Sequence, residues 1–150
     1  MHREVGRLLT DCGIVKSSPE EAFDSGVTEA FFPHGLGHLL GTQTHDIGGH
    51  LTDERGTIKR PDPRYPALRL TREIEPDMVF TIEPGIYFIP MLLAPIRERT
   101  DIDWRLVDEL TPCGGIRIED NVVVTATGCR NLTRPVFEAM ESKSPAVRTL

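Results

Sequence analysis

The sequence is 150 residues long, with 39% hydrophobic and 27% charged residues and a formal net charge of −6. That size and balance describe about one globular domain with room for a real core. The acidic charge, with no offsetting cluster of lysine and arginine, argues against a nucleic-acid partner, and no apolar run approaches the roughly 20 residues needed to span a bilayer.

Residues 1 to 13 pattern as a helix, with Met1, Val5, Leu8, Leu9 and Cys12 on one face. MHREVGRLLTD has no apolar signal-peptide core, so nothing in it marks the chain for secretion. Cys12, Cys113 and Cys129 are odd in number and form no CxxC pair. They read as free thiols of a reducing compartment, which sets a cytoplasmic expectation. Ser18-Pro19-Glu20-Glu21 is a helix start: serine at the N-cap, proline at the first position and glutamate closing a capping box. That helix should end near Gly26. A short helical or extended piece from Thr28 to Phe32 follows.

Next comes PHGLGHLLGTQTHDIGG, Pro33 to Gly49, which holds His34, His38 and His45 among glycines. Histidine there can bind a metal or move a proton near neutral pH, and glycine admits close backbone approach. The plainer alternative is a glycine-rich loop carrying solvated histidines. Pro61, Pro63 and Pro66 then forbid regular helix or central strand in the polar stretch that follows. An ordered flap and a flexible linker are both open readings of it. Beyond a turn at Pro76-Asp77, Met78–Ile82 and Ile86–Phe88 are strand-like and split by Pro84-Gly85. Residues 89 to 110 form an excursion with helical character around Met91–Arg99. Ile116–Thr125 reads as one strand, Ala126-Thr127-Gly128 as its turn and Cys129–Leu132 as the return. The tail from Phe137 to Leu150 is weakly helical at first, then polar and frayed.

Glu83 and Glu119 each sit in an apolar strand-like run, where an unpaired carboxylate is costly. With His38 they make a mixed nitrogen and oxygen donor set suited to Mn²⁺, Co²⁺ or Zn²⁺. On neighbouring antiparallel strands the two carboxylates would face one way and bridge two metals, an arrangement that serves hydrolysis. A structural ion pair of Glu119 with Arg117, two residues away on the same strand face, is the competing reading. His34 and His38 have zinc-protease spacing, but Gly35-Leu36-Gly37 is poor helix and lacks the glutamate of HExxH. Asp46 follows His45 as a possible orienting partner.

PHGLGHLLGTQTHDIGG, FTIEPGIY and GGIRIEDNVVVT, in that order, resemble the catalytic domain of the bacterial Xaa-Pro dipeptidases, or prolidases. These belong to the metallopeptidase family with the pita-bread fold, shared with aminopeptidase P, methionine aminopeptidase and creatinase. The resemblance covers nearly all of the chain. It implies an α+β architecture, a curved antiparallel sheet with flanking helices, in which residues 1–150 are the C-terminal part of the catalytic domain. It implies His38, Glu83 and Glu119 as metal ligands, with Glu119 bridging two divalent ions, usually Mn²⁺. Glu83 would double as proton shuttle, His34 and His45 would line the substrate site, and Arg117 would orient substrate. The implied reaction is hydrolysis of dipeptides with C-terminal proline, with organophosphorus triesters as secondary substrates, and the implied assembly is a homodimer. An aminopeptidase P-like or creatinase-like chemistry is the runner-up within the fold.

The family site has five protein ligands, two of them aspartates on strands upstream of the histidine motif. Here Asp11 and Asp24 precede it, both in or beside predicted helices. Met1 therefore reads as an internal methionine of a longer protein, with the N-terminal domain and upstream strands absent. Such a chain is either a truncated C-terminal part of a prolidase or a natural short relic, and by itself it is expected to be an incomplete, inactive portion that binds metal weakly or dimerises without turnover.

Overall fold

A computed structural model describes residues 1–141 of the chain. They form two compact units, each built from two stretches: residues 1–34 with 84–118, and residues 35–83 with 119 onward.

The first unit holds the apolar core. Helix α1 (His2–Asp11) buries Val5, Gly6 and Leu9. Leu8 and Cys12, expected on the same face, are exposed, so the buried stripe is narrower than the sequence pattern suggested. Close packing occurs at Gly6, where a Cβ would come within 2.6 Å of the Pro19 carbonyl oxygen. Helix α2 (Pro19–Asp24) starts as its sequence predicts: the Ser18 hydroxyl accepts from the Glu21 amide, and the Glu21 side chain reaches back to the Ser18 amide. Helix α3 (Val27–Phe31) follows a left-handed Gly26 and buries Val27, Thr28, Ala30 and Phe31.

The second stretch of this unit carries β2 (Gly85–Tyr87), α4 (Pro90–Leu93), α5 (Trp104–Leu110) and β3 (Gly115–Arg117). The helix expected around Met91–Arg99 is one α-helical turn followed by a 3-10 turn at Ala94–Ile96. Pro95 accounts for the change, because it supplies no amide hydrogen to continue the α-helical ladder. Helix α5 escaped the sequence reading, although Asp103 caps it by accepting from the Leu106 amide. Phe88, Leu93, Ile102 and Val107 from this stretch join Val5, Leu9, Val15, Phe31 and Phe32 in the core.

The second unit contains a sheet ordered β1-β4-β5, with β1 at Val79–Ile82, β4 at Asp120–Thr125 and β5 at Gly128–Asn131. All its pairings are antiparallel, with Val79 opposite Val123 and Ile82 opposite Asp120. The single strand expected from Ile116 to Thr125 is thus two strands, β3 paired with β2 and β4 paired with β1. Pro84 interrupts the facing chain between β1 and β2 and has no amide to donate, so the ladder breaks there. The proline-rich stretch is an ordered loop pinned at its base: the amides of Thr71 and Arg72 donate to the Gly49 carbonyl at 2.9 and 3.1 Å, and that of Lys59 to the His50 carbonyl at 2.9 Å. Helix α6 (Arg134–Glu141) closes the described chain. The polar end expected after it lies outside the described residues. Among those residues, no helix is long and apolar enough to cross a membrane.

Candidate metal centre

Strand β1 organises this site from both edges. On one edge the chain around Leu39 forms an antiparallel bridge with Phe80. The Leu40 amide donates to the Val79 carbonyl and the Thr81 amide to the His38 carbonyl, each at 2.9 Å. This pairing brings Gly37 so close to β1 that a Cβ would overlap the Thr81 carbonyl oxygen. Glycine is required there for close approach. On the other edge, Ile82 pairs with Asp120. Glu83 and Glu119, one residue beyond the paired ends, are thereby brought level. His38, Glu83 and Glu119 present ligand atoms that all lie within 4.8 Å of one another.

The three differ in burial. His38 is 4% and Glu83 6% exposed, whereas Glu119 is solvent-exposed. Glu119 is therefore not the buried strand carboxylate its apolar neighbours suggested, because it occupies the break between β3 and β4 rather than a strand interior.

The hydrogen bonds define what the buried pair needs. His38 Nδ1 lies 3.0 Å from the Leu39 carbonyl oxygen. A carbonyl only accepts, so Nδ1 carries the hydrogen. Nε2 meets Glu83 Oε1 at 3.0 Å. In the neutral ring this Nε2 is an acceptor, and it faces a second acceptor in a site shielded from water. The arrangement calls for a proton between them, on the ring or on the carboxyl, or for a cation. One imidazole and two carboxylates suit a borderline-hard divalent ion. Support of the other ring nitrogen by a backbone carbonyl is how ligating histidines are normally held. The residues present therefore fit a metal.

Thr81, 1% exposed, connects the two buried groups. Its hydroxyl accepts from the His38 amide at 3.0 Å and donates to Glu83 Oε1 at 2.5 Å. Sequence reading passed over it, although its spacing of two from Glu83 in FTIE puts both on one strand face.

His45 belongs to the same unit. It is exposed, and its ring meets that of His38 edge-on at a centroid distance of 4.4 Å. Asp46 does not orient it: the carboxylate accepts from the Gly48 amide at 2.8 Å and caps the 3-10 turn Ile47–His50. A short polar residue before a tight turn satisfies the nearest orphan amide first. His34 belongs to the other unit, where its Nε2 lies 2.7 Å from Tyr87 Oη and its ring packs on Phe32 at 4.5 Å. Arg117 ends β3, exposed, in that same unit, and Glu119 lies outside that strand. Asp11 and Asp24 are exposed at the ends of α1 and α2, and neither joins the cluster.

The profile of metallopeptidase family M24 matches residues 1–126. The chain belongs to that family. Among curated relatives, Xaa-Pro dipeptidase 2 of Idiomarina loihiensis is 48% identical over 140 residues, covering 93% of this chain and 32% of that protein. The Xaa-Pro dipeptidase of Xanthomonas axonopodis pv. citri is 52% identical over 142 residues, covering 92% and 32%. The chain thus spans about a third of the length of the curated relatives it matches. Of solved structures, proline aminopeptidase P II from Yersinia pestis superposes with a TM-score of 0.58 at 32% identity, over 95% of this chain and 28% of that one. Zinc-substituted Escherichia coli aminopeptidase P in complex with product gives 0.57 at 29% identity, over 96% and 28%. The M24 chain accordingly has the α+β pita-bread architecture of these enzymes over the part it covers. Its antiparallel strands are divided between a three-stranded and a two-stranded sheet.

Proposed function

We propose that this M24 chain is a portion of the catalytic domain of a cytoplasmic, homodimeric Xaa-Pro dipeptidase that hydrolyses the bond preceding a C-terminal proline. In this reading His38, Glu83 and Glu119 would hold two divalent ions, Mn²⁺ by preference. The observation that carries it is the convergence of the three donors within 4.8 Å, two of them buried and facing each other acceptor to acceptor. When bound, the ions supply Lewis acidity toward the scissile carbonyl and an acidified water. Glu83 takes the proton from the attacking water and delivers it toward the departing proline nitrogen. His45, edge-on to His38, and His34, held by Tyr87, donate to oxygens of the substrate as charge develops on them. Arg117 orients the substrate by its positive charge.

The test is equilibrium dialysis of the 150-residue chain against Mn²⁺ with elemental analysis, alongside assay of an Xaa-Pro dipeptide. Binding by the native chain and its loss in His38→Ala, at least as large as the roughly 10–100-fold cost of removing a group that only orients a ligand, are the expected results. A His38→Ala protein that retains the ions would reject the ligand assignment. A second reading, a metal-binding portion without turnover, is favoured by the short span of the chain relative to its relatives. Bound ions with no hydrolysis would select it.

A further inference from the structure

We infer that Thr81 is a positioning residue of the metal centre, its hydroxyl fixing both the histidine backbone and the glutamate carboxylate for ligation. The inference rests on the reading of His38 and Glu83 as ligands. A hydroxyl has one hydrogen and two acceptor sites. At Thr81 the hydrogen goes to Glu83 Oε1 at 2.5 Å, since the alternative acceptor, the His38 carbonyl, is at 3.5 Å. A lone pair receives the His38 amide at 3.0 Å. One buried side chain therefore ties together two residues far apart in sequence. The oxygen it holds is the one that faces His38 Nε2. Fixing Oε1 sets the plane of the carboxylate and hence the direction of its lone pairs toward an ion. Fixing the His38 amide, together with the bond from the Thr81 amide to the His38 carbonyl at 2.9 Å, sets the start of the imidazole. A threonine is suited to this beyond its strand propensity, because its branched Cβ restricts χ1 and so limits the directions the hydroxyl can take.

The measurement is Co²⁺ affinity by titration calorimetry with the visible spectrum of the Co²⁺ adduct, on native chain, Thr81→Ser, Thr81→Val and His38→Ala. Loss of a group that orients ligands typically weakens binding about 10–100-fold, so Thr81→Val should fall in that range with an altered spectrum, and Thr81→Ser within about threefold of native with the native spectrum. Equal affinity and spectrum in native chain and Thr81→Val, with His38→Ala no longer binding, would overturn the role of Thr81 and leave the ligands standing. Equal losses in the serine and valine variants would also overturn it, since the hydroxyl would then be irrelevant. A native chain without affinity for Co²⁺, or a His38→Ala chain that binds as native, would remove the ligand reading and Thr81 with it. Far-UV circular dichroism checks folding. Thr81→Ala, which removes the hydroxyl and adds no metal-binding atom, replaces the valine variant under the same criteria should that one not fold.

Discussion

At Gly37 the backbone of the histidine segment runs against the Thr81 carbonyl with no room for a methyl group. Gly37→Ala should therefore push His38 away from β1. Overpacking of this kind costs about 1–3 kcal/mol, read as a lowered urea midpoint, and Mn²⁺ affinity should fall with it. An unchanged midpoint would mean that the segment does not sit on β1 in solution. At this scale the sequence was partly legible. A glycine before a histidine announces close approach without saying to what, and the partner, Thr81, looks like any strand threonine. Its hydrogen bonds join residues far apart in the chain, which no local pattern encodes. Asp46 illustrates the opposite case: adjacency to His45 suggested a pair, but the amide of Gly48 was nearer in conformation.

Among the elements, the approach to α5 is held by an ion-pair fork. Arg99 donates to Asp101 from Nε at 3.0 Å and from Nη2 at 2.7 Å, and the Asp101 carbonyl receives the Lys16 amide at 2.7 Å. Hydrogen bonds from Arg99 hold the Asp101 carboxyl below its ordinary value near 3.8, against a smaller opposing effect of burial. A pKa lowered by folding stabilises the fold above the unfolded-state value, and that stabilisation is lost as pH falls through the folded value. Asp101→Asn should thus be less stable than native at about pH 7, by up to about 1 kcal/mol for a partly exposed pair. The difference should shrink as the pH falls below the ordinary carboxyl value and through the lowered folded-state value, because both proteins then carry a neutral group. Urea midpoints of the two proteins across that range decide it, and a constant difference would mean that the charge contributes nothing. Element starts were the most legible feature here, as the Ser18 box shows. Element ends were less so: Ile116–Thr125 is uniform in β propensity, and only the change of partner from β2 to β1 divides it.

At the scale of the molecule the two units differ in what fills them. The first packs thirteen buried apolar residues into one cluster. In the second, among the described residues, Leu39 and Val122 are the buried apolar side chains, beside buried His38, Thr81 and Glu83. A unit with so little hydrophobic filling depends on satisfying its polar interior. An ion that binds only the folded form at 100 times its dissociation constant adds about 2.7 kcal/mol. Mn²⁺ should accordingly slow amide hydrogen exchange at Leu40, Thr81 and Glu83 more than in α1 or α5. Uniform exchange with and without Mn²⁺ would count against the centre. Family membership and overall architecture were readable from three motifs, whereas the division into two units was not, because it depends on which segments return to pair.

The interleaving of the two units has a consequence for biosynthesis. Their seams fall after His34, after Glu83 and before Glu119. A ribosome moving along the message delivers every segment of the first unit once Ile118 has emerged, while β1 still waits for the strand that flanks it. The carboxylates at the seams are separated in sequence by residues 84–118, whose two ends meet when β2 pairs with β3, so the long loop between them is already closed when the second unit forms. Nascent chains should acquire the apolar cluster before the ion-binding geometry, so that the ability to capture metal reports the pairing of β4 with β1.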